Sequence, residues 1–253
     1  MAVVLKLGGS VVTDKDRPET VDDEALDAAV DAVADSGLEA LVVVHGGGSF
    51  GHHHAANHGV STTDGTSDAA GALAIHAAMK RLNEAVVSRL QSRGVPALPV
   101  HPLSVAARHG SDDAAGEDAE LSLPLDSTET LLGEGFVPVL HGDVVAHAGR
   151  GVTVVSGDEL VVRLADGLGA DRVGLCSTVP GVYDENEVVV DEIRSFEDVA
   201  AALGGSESTD VTGGMAAKVR ALLAMDAPAY VFGPDGVGPF LAGESPGTRI
   251  DGR

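Results

Sequence analysis

The sequence predicts an α/β protein built on a largely parallel sheet with helices on both faces. Two observations carry this. Short apolar runs of strand length alternate along the chain with longer segments of helical periodicity, the pattern of parallel strands joined by helical crossovers. Glycine clusters follow several of the apolar runs, and such sheets bind ligands beyond the carboxyl ends of their strands.

The elements read in order. Residues 3–7 are a buried strand. Residues 22–36 form a helix with acidic residues in its first turn and Gly37 as its stop. Residues 40–44 are the next strand, and 45–51 a glycine-rich turn that continues into loop-like sequence. Residues 68–93 are a long helix whose Ile75, Met79, Leu82 and Val86 fall on one core-facing stripe. A strand follows at 96–100, then an acidic, patternless and solvated loop at 110–120. Residues 137–140, 144–147 and 152–155 are short strands that include a hairpin. Residues 158–168 are helical and 172–176 a strand. The apolar stretch 188–193 comes after a turn rich in Gly, Asp and Asn. Residues 204–214 are a loop, 215–225 a helix and 230–232 a late strand. The length suits one domain, or two lobes sharing one sheet, and no internal repeat is visible.

Composition narrows the function. The formal net charge is −23, from 39 acidic against 16 basic side chains, which excludes free nucleic acid as a partner because a polyanion needs clustered Lys and Arg. Hydrophobic residues make up 44% of the chain in periodic runs, so the charge belongs to a folded protein and not to a disordered one. Such acidity fits a high-salt cytoplasm, where screening removes most of the self-repulsion. Trp is absent and Phe plus Tyr number seven, so Val, Leu and Ala must fill the core. The single cysteine, Cys176, excludes an internal disulfide and, at the end of an apolar run, reads as a buried inert thiol. No secretory signal opens the chain and no apolar run reaches spanning length, so a cytoplasmic protein without a membrane partner is expected.

The chain holds four lysines against twelve arginines, and three of the four stand in glycine-rich or anion-site sequence. Lys6 runs into Gly8-Gly9-Ser10, Lys15 follows, and Lys218 comes after Asp210-Val-Thr-Gly-Gly-Met215. A compact ammonium suits contact with a transferring phosphate, which points to phosphoryl transfer. Gly46-Gly47-Gly48-Ser49-Phe50-Gly51 matches the dinucleotide fingerprint, but it follows the second strand and loop-like sequence succeeds it. The Walker GK[ST] ending is absent. What remains is a turn of bare backbone that aims N–H groups at an anion, with His52 beside it as a phosphate ligand or a surface histidine. His52-His53-His54 with His58 has partial zinc-like spacing, but lacks Cys partners and the HExxH glutamate, and no metal ligand is expected. Ser156-Gly157-Asp158 is both a helix cap and a carboxylate that could hold two lysines between phosphates. Asp143, in His141-Gly-Asp143, is a second carboxylate at a strand end, or a turn residue. Residues 177–184 could wrap a base or ribose, or form a Pro-Gly turn.

Taken together, Leu5-Lys-Leu-Gly-Gly-Ser10, Asp14-Lys15, His45-Gly-Gly-Gly-Ser-Phe-Gly-His52, His141-Gly-Asp143, Ser156-Gly-Asp158 and Asp210-Val-Thr-Gly-Gly-Met215 with Lys218 resemble the amino acid kinase family over nearly the whole chain. His52, closing the glycine run, resembles the branch that phosphorylates isopentenyl phosphate. The resemblance implies an open α/β/α sandwich forming a single domain over 1–253, with an acceptor-binding lobe at about 1–148 and a nucleotide-binding lobe at about 149–253. It implies Mg²⁺ and ATP, a small-molecule acceptor converted to isopentenyl diphosphate, and a homodimer. It places Lys6, Gly8, Gly9, Ser10, Gly48, Thr178, Gly181, Gly213 and Lys218 on ATP, and Gly47, His52 and Gly157 on acceptor or nucleotide phosphates. It puts Lys15 near the transferring group and Asp158 between Lys6 and Lys218. Where many relatives have Thr-Asp-Val-Asp-Gly this chain has Ser177-Thr-Val-Pro-Gly181, without the acidic contacts to nucleotide. The alternatives are a relative acting on a carboxylate, carbamate or nucleotide, and a nucleotide-binding module of the same fold without turnover.

Overall fold

A computed structural model describes residues 2–110, 120–203 and 214–252. In chain order, β1 (Val3–Leu7) passes through a single turn, α1 (Gly9–Val12), to α2 (Asp23–Ser36), then β2 (Leu41–His45), α3 (Gly48–His58) and α4 (Ala69–Ser92). Next come β3 (Ala97–Pro99), α5 (Pro102–Val105), β4 (Ala107–His109), β5 (Glu120–Ser122) and α6 (Asp126–Gly133). The second half holds β6 (Val137–His141), β7 (Asp143–His147), β8 (Gly151–Val155), α7 (Gly157–Leu168) and β9 (Arg172–Cys176). It ends with β10 (Glu192–Ile193), α8 (Ala200–Leu203), α9 (Gly214–Leu223), β11 (Ala229–Phe232), α10 (Val237–Leu241) and β12 (Thr248–Ile250).

The main sheet has the order β10-β12-β11-β9-β1-β2-β6-β3, and every pairing in it is parallel except β11 with β12. Strand alternation divides its side chains between two cores. Val3, Leu5, Leu7, Leu41 and Val43 face Leu26 and Val30 of α2, Val86 of α4 and Phe240 of α10. Val4, Val42, Val44, Val173 and Leu175 face Leu160, Val161 and Leu164 of α7 and Val219 of α9. The fold is therefore the α/β/α sandwich the sequence implied. A second, four-stranded sheet of order β5-β4-β7-β8 includes the antiparallel hairpin β7–β8.

Caps set the helix starts. Asp22 accepts from Ala25 N, Asp68 from Ala70 N and Gly71 N, and Ser156 forms a capping box with Glu159. Gly37 ends α2 in the left-handed conformation, φ +60°.

The structure departs from the sequence expectation in several places. The segment after Gly47 is not loop-like: α3 begins at Gly48 and runs to His58. Its buried face is Gly48, Ser49, Phe50, Gly51 and Ala55, with one large apolar side chain among small ones and so no helical hydrophobic period. One ground for setting aside the dinucleotide fingerprint thus falls, while its place after the second strand stands. In the apolar stretch 188–193 only Glu192–Ile193 is a strand. Strands β4, β5 and β12 and helices α1, α5, α6, α8 and α10 are not expected from the sequence, since each is too short to show a period of its own. The loops expected at 110–120 and 204–214 fall mostly outside the described residues.

Candidate active site

A cleft of about 210 Å³ opens where β1 leaves the sheet between β2 and β9, and where the chain enters α7. This is the reversal point of strand order, where open parallel sheets gather ligands. Gly8, Gly9 and Ser10 after β1, Gly46, Gly47 and Gly48 after β2, Ser177 and Thr178 after β9, and Ser156, Gly157 and Asp158 at the start of α7 all line it. Two glycine turns interlock here: a Cβ on Gly46 would stand 2.6 Å from Gly9 N, and one on Gly9 would fall on the backbone of Gly48. Gly48 itself has φ +47°, a conformation side chains resist. Both α3 and α7 start at the cleft, so their first N–H groups and positive dipole ends face it.

Lys6 is the second-last residue of β1, and alternation turns it to the α7 side of the sheet. Its Nζ lies 2.6 Å from Asp158 Oδ1, and Lys218 Nζ of α9 lies 3.9 Å from Asp158 Oδ2. One carboxylate thus sits between two ammonium groups, each on its own oxygen. Asp158 can reach them because Ser156, not Asp158, caps α7. Burial alone would raise the Asp158 pKa. The charges of Lys6 and Lys218 and the Lys6 hydrogen bond outweigh it and hold the carboxyl below the ordinary range. Asp158 is accordingly an anion at neutral pH, and the two lysines keep a net positive charge in the cleft.

His52 is exposed at the start of the second turn of α3 and lines the cleft. Lys15 is not among the lining residues. It stands exposed on the loop between α1 and α2, in a groove whose walls include Ser10, Gly48 and His52 of the cleft. That loop is docked on α3: Thr13 Oγ1 donates to Gly9 O and accepts from Ser49 N, while Glu19 N donates to Ser49 O. At its far end the Glu19 carboxylate accepts from His54 Nε2 and from Arg81, which together lower its pKa.

The other end of the cleft is apolar. Gly51 and Ala55 of α3, Ile75 and Met79 of α4 and Val154 of β8 enclose it. Asp143 lines it too and is not a turn residue: it is buried at the start of β7, where its carboxylate accepts from His76 Nδ1 at 2.9 Å. Of these residues the stripe on α4 reads as core, on the long helix 68–93 that the resemblance places along the acceptor's tail pocket, while His76 is not expected from the sequence. A histidine one turn along from a buried stripe gives no sequence signal without knowing that β7 passes beneath it.

The remaining expectations divide. Thr178 lines the cleft, and Gly157 packs against the Lys6 side chain, so both join the cluster. Gly181 is not among the residues lining this cleft; it packs against Val189 and Thr248, where a side chain would not fit. Gly213, with Asp210 to Thr212, lies outside the described residues. Cys176 is buried beneath the cleft, and burial pushes its thiol up to about 12 despite nearby Lys6. His54 pairs with Glu19, and His53 Nε2 accepts from Asn57. No helix among the described residues is long and apolar enough to cross a membrane.

Comparison with known proteins gives a consistent set. A sequence model of the amino acid kinase family matches residues 1–226. The isopentenyl phosphate kinase of Haloferax volcanii is 68% identical over 251 residues, 99% of this chain and 98% of that protein. The isopentenyl phosphate kinase of Methanocaldococcus jannaschii is 31% identical, with 99% of each chain covered. Among solved structures, an isopentenyl phosphate kinase superposes with a TM-score of 0.82 at 27% identity, over 99% of this chain and 100% of that one.

Proposed function

The chain belongs to the amino acid kinase family, and from that premise we propose that it transfers the γ-phosphoryl group of ATP to isopentenyl phosphate, giving isopentenyl diphosphate and ADP. The observation that carries the reading is the Asp158 carboxylate held between Lys6 and Lys218 at the rim of a glycine-lined cleft. A phosphate oxygen of the acceptor attacks the γ-phosphorus as the bond to the β-γ bridging oxygen breaks, and ADP leaves. The acceptor is already an anion, so no general base is required. The protein's task is to align two polyanions and neutralise the equatorial oxygens.

In this reading Lys6 and Lys218 would meet the transferring phosphoryl group, with Asp158 fixing both. Gly8, Gly9, Ser10, Gly48, Thr178, Gly181 and Gly213 would serve ATP. Gly47 and Gly157 would offer backbone N–H groups, and His52 would bind the acceptor phosphate. Lys15 would reach the site from its neighbouring loop. The apolar end beside Ile75 and Met79 suits a short branched hydrocarbon tail. Magnesium would arrive as MgATP: the cleft carboxylates Asp158 and Asp143 are engaged by lysines and by His76, and the described residues form no metal-ligand cluster. Residues up to about 148 would form the acceptor side and the rest the nucleotide side. A cytoplasmic, halophilic homodimer completes the proposal.

ADP release measured with MgATP and isopentenyl, dimethylallyl and geranyl phosphates in molar KCl tests it. Turnover is expected with isopentenyl phosphate. Turnover only with a carboxylate, carbamate or nucleotide acceptor would assign the chain to another branch, and none with any acceptor would leave a binding module.

A further inference from the structure

Three buried polar side chains lie beneath the glycine turns and have no part in the reaction above. β2 and β6 pair in parallel with His45 opposite His141, and each histidine is the last residue of an otherwise apolar strand. Both are fully buried, their rings stacked with centroids 5.5 Å apart. Alternation turns them to the α4 side, where Asn83, also fully buried, meets His45.

Their partners fix their tautomers. His45 Nδ1 faces Gly46 O at 3.1 Å, and His141 Nδ1 faces Gly142 O at 2.9 Å, so both carry the hydrogen on Nδ1 and donate it. The Nε2 atoms are then acceptors: His45 Nε2 takes a hydrogen from Asn83 Nδ2, and His141 Nε2 takes one from His101 Nδ1. Each histidine therefore holds the carbonyl of the glycine that follows it, and the same device occurs twice, side by side. The groups packed around the pair are Asn83, His101, His76 and Asp143, with the charge of Lys80 felt by His101.

The consequence follows from peptide geometry. In a trans peptide the C=O and the next N–H point in opposite directions. A Gly46 carbonyl held down toward the core turns the Gly47 N–H out toward the cleft. The Gly142 turn is braced from both sides, since its N–H donates to His45 O and its C=O accepts from His141. It also spaces the phosphate-facing amides: a Cβ on Gly142 would stand 3.9 Å from Gly47 N and 3.5 Å from Gly157 N. Leucines in these two places would fill the core without burying a polar ring, so packing alone does not call for histidine.

We propose that His45 and His141 are positioning residues: His45 aims the Gly47 amide at substrate phosphate by pinning the Gly46 carbonyl, and His141, by pinning the Gly142 carbonyl, holds the turn that packs against the Gly47 and Gly157 amides. The catalytic part of this rests on the kinase reading above; the pinning does not. The test compares the wild type with His45→Leu, His141→Leu, His45→Asn and His141→Asn, because an asparagine Nδ2 can stand in for the imidazole Nδ1.

Amide hydrogen exchange of peptides spanning 46–48 and 142–143, without substrate, is one readout. Steady-state kinetics with MgATP and isopentenyl phosphate is the other. The leucine variants are expected to exchange faster and to lose kcat by about tenfold or more, since small misplacements of phosphate-binding groups are costly. The asparagine variants are expected to recover most of both. Leucine variants that match the wild type in exchange would overturn the proposal, as would faster exchange with unaltered kcat, or asparagine variants no better than leucine. If the leucine variants do not fold, the asparagine pair decides: near-native exchange and turnover support pinning, and loss of both overturns it. A wild type that exchanges as expected but ignores isopentenyl phosphate would fail the kinase reading and leave the exchange comparison to judge the pinning.

Discussion

Lys6 and Asp158 are 152 residues apart in the chain and meet at 2.6 Å across the cleft. The contact joins the central strand of the sheet to the first turn of α7, and Lys218 completes it from α9. A carboxylate between two ammonium groups holds their heads in fixed places while leaving a net positive charge for phosphate oxygens.

Removing the ammonium of Lys6 should abolish most turnover without unfolding the protein. Lys6→Ala is expected to lower kcat by about a hundredfold or more, in line with the loss of one preorganised electrostatic contact. A thermal melt close to the wild type's, with ADP release within a few-fold of it, would remove Lys6 from the reaction.

Asp158→Asn keeps the shape of the side chain and deletes its charge. The two lysines then repel one another unshielded, so kcat should fall while the fold persists. The sign of the pH effect is set by a folded pKa depressed below the unfolded one. Its stabilisation is present above the ordinary aspartate range and is lost as pH falls through the folded value. Acid titration of stability should therefore be flatter in Asp158→Asn than in the wild type; equal acid limbs would contradict the assignment.

His52→Ala should separate the two substrates. The KM for isopentenyl phosphate is expected to rise roughly tenfold, about 1.4 kcal/mol, with the KM for MgATP little changed. An equal rise in both would show that His52 does not favour the acceptor.

Buried neutral histidines make the fold acid-sensitive above the carboxylate range. Burial lowers His45 from the ordinary 6.5 to about 4 and His141 to about 3. The unfolded chain takes up protons first, so stability is full above pH 6.5 and declines as pH falls toward 4. The loss at that pH is on the order of 3 kcal/mol per histidine. Denaturant midpoints measured from pH 7.5 to 4 should fall in the wild type and fall less in His45→Leu. A flat wild-type profile would mean that the rings are not held neutral.

Salt should stabilise the protein. With a net charge of −23, screening by KCl relieves self-repulsion, and Tm is expected to climb steadily toward molar KCl. A Tm independent of salt would remove the case for a high-salt setting.

The central strands of the main sheet and the two long helices α2 and α4 were legible because their periods and caps are local: apolar runs at 3–7 and 172–176, Asp22 and Asp68 at helix starts, Gly37 at a stop. The residues of the cleft were legible for a different reason. Lysine in a chain that otherwise prefers arginine, and glycine where bare backbone is needed, are chemical choices visible one residue at a time. Helix α3 was hidden because its buried face is glycine, serine and alanine around a single Phe50, which gives no hydrophobic period. The resemblance put Asp158 between Lys6 and Lys218, and the structure supplies the contacts; only the tertiary structure decided that Gly9 interlocks with Gly46 and Gly48, and that His45 and His141 stack under the turns they hold. Each of these depends on which strands lie side by side, and strand order is fixed by the packing of the whole sheet, not by any segment's own propensity.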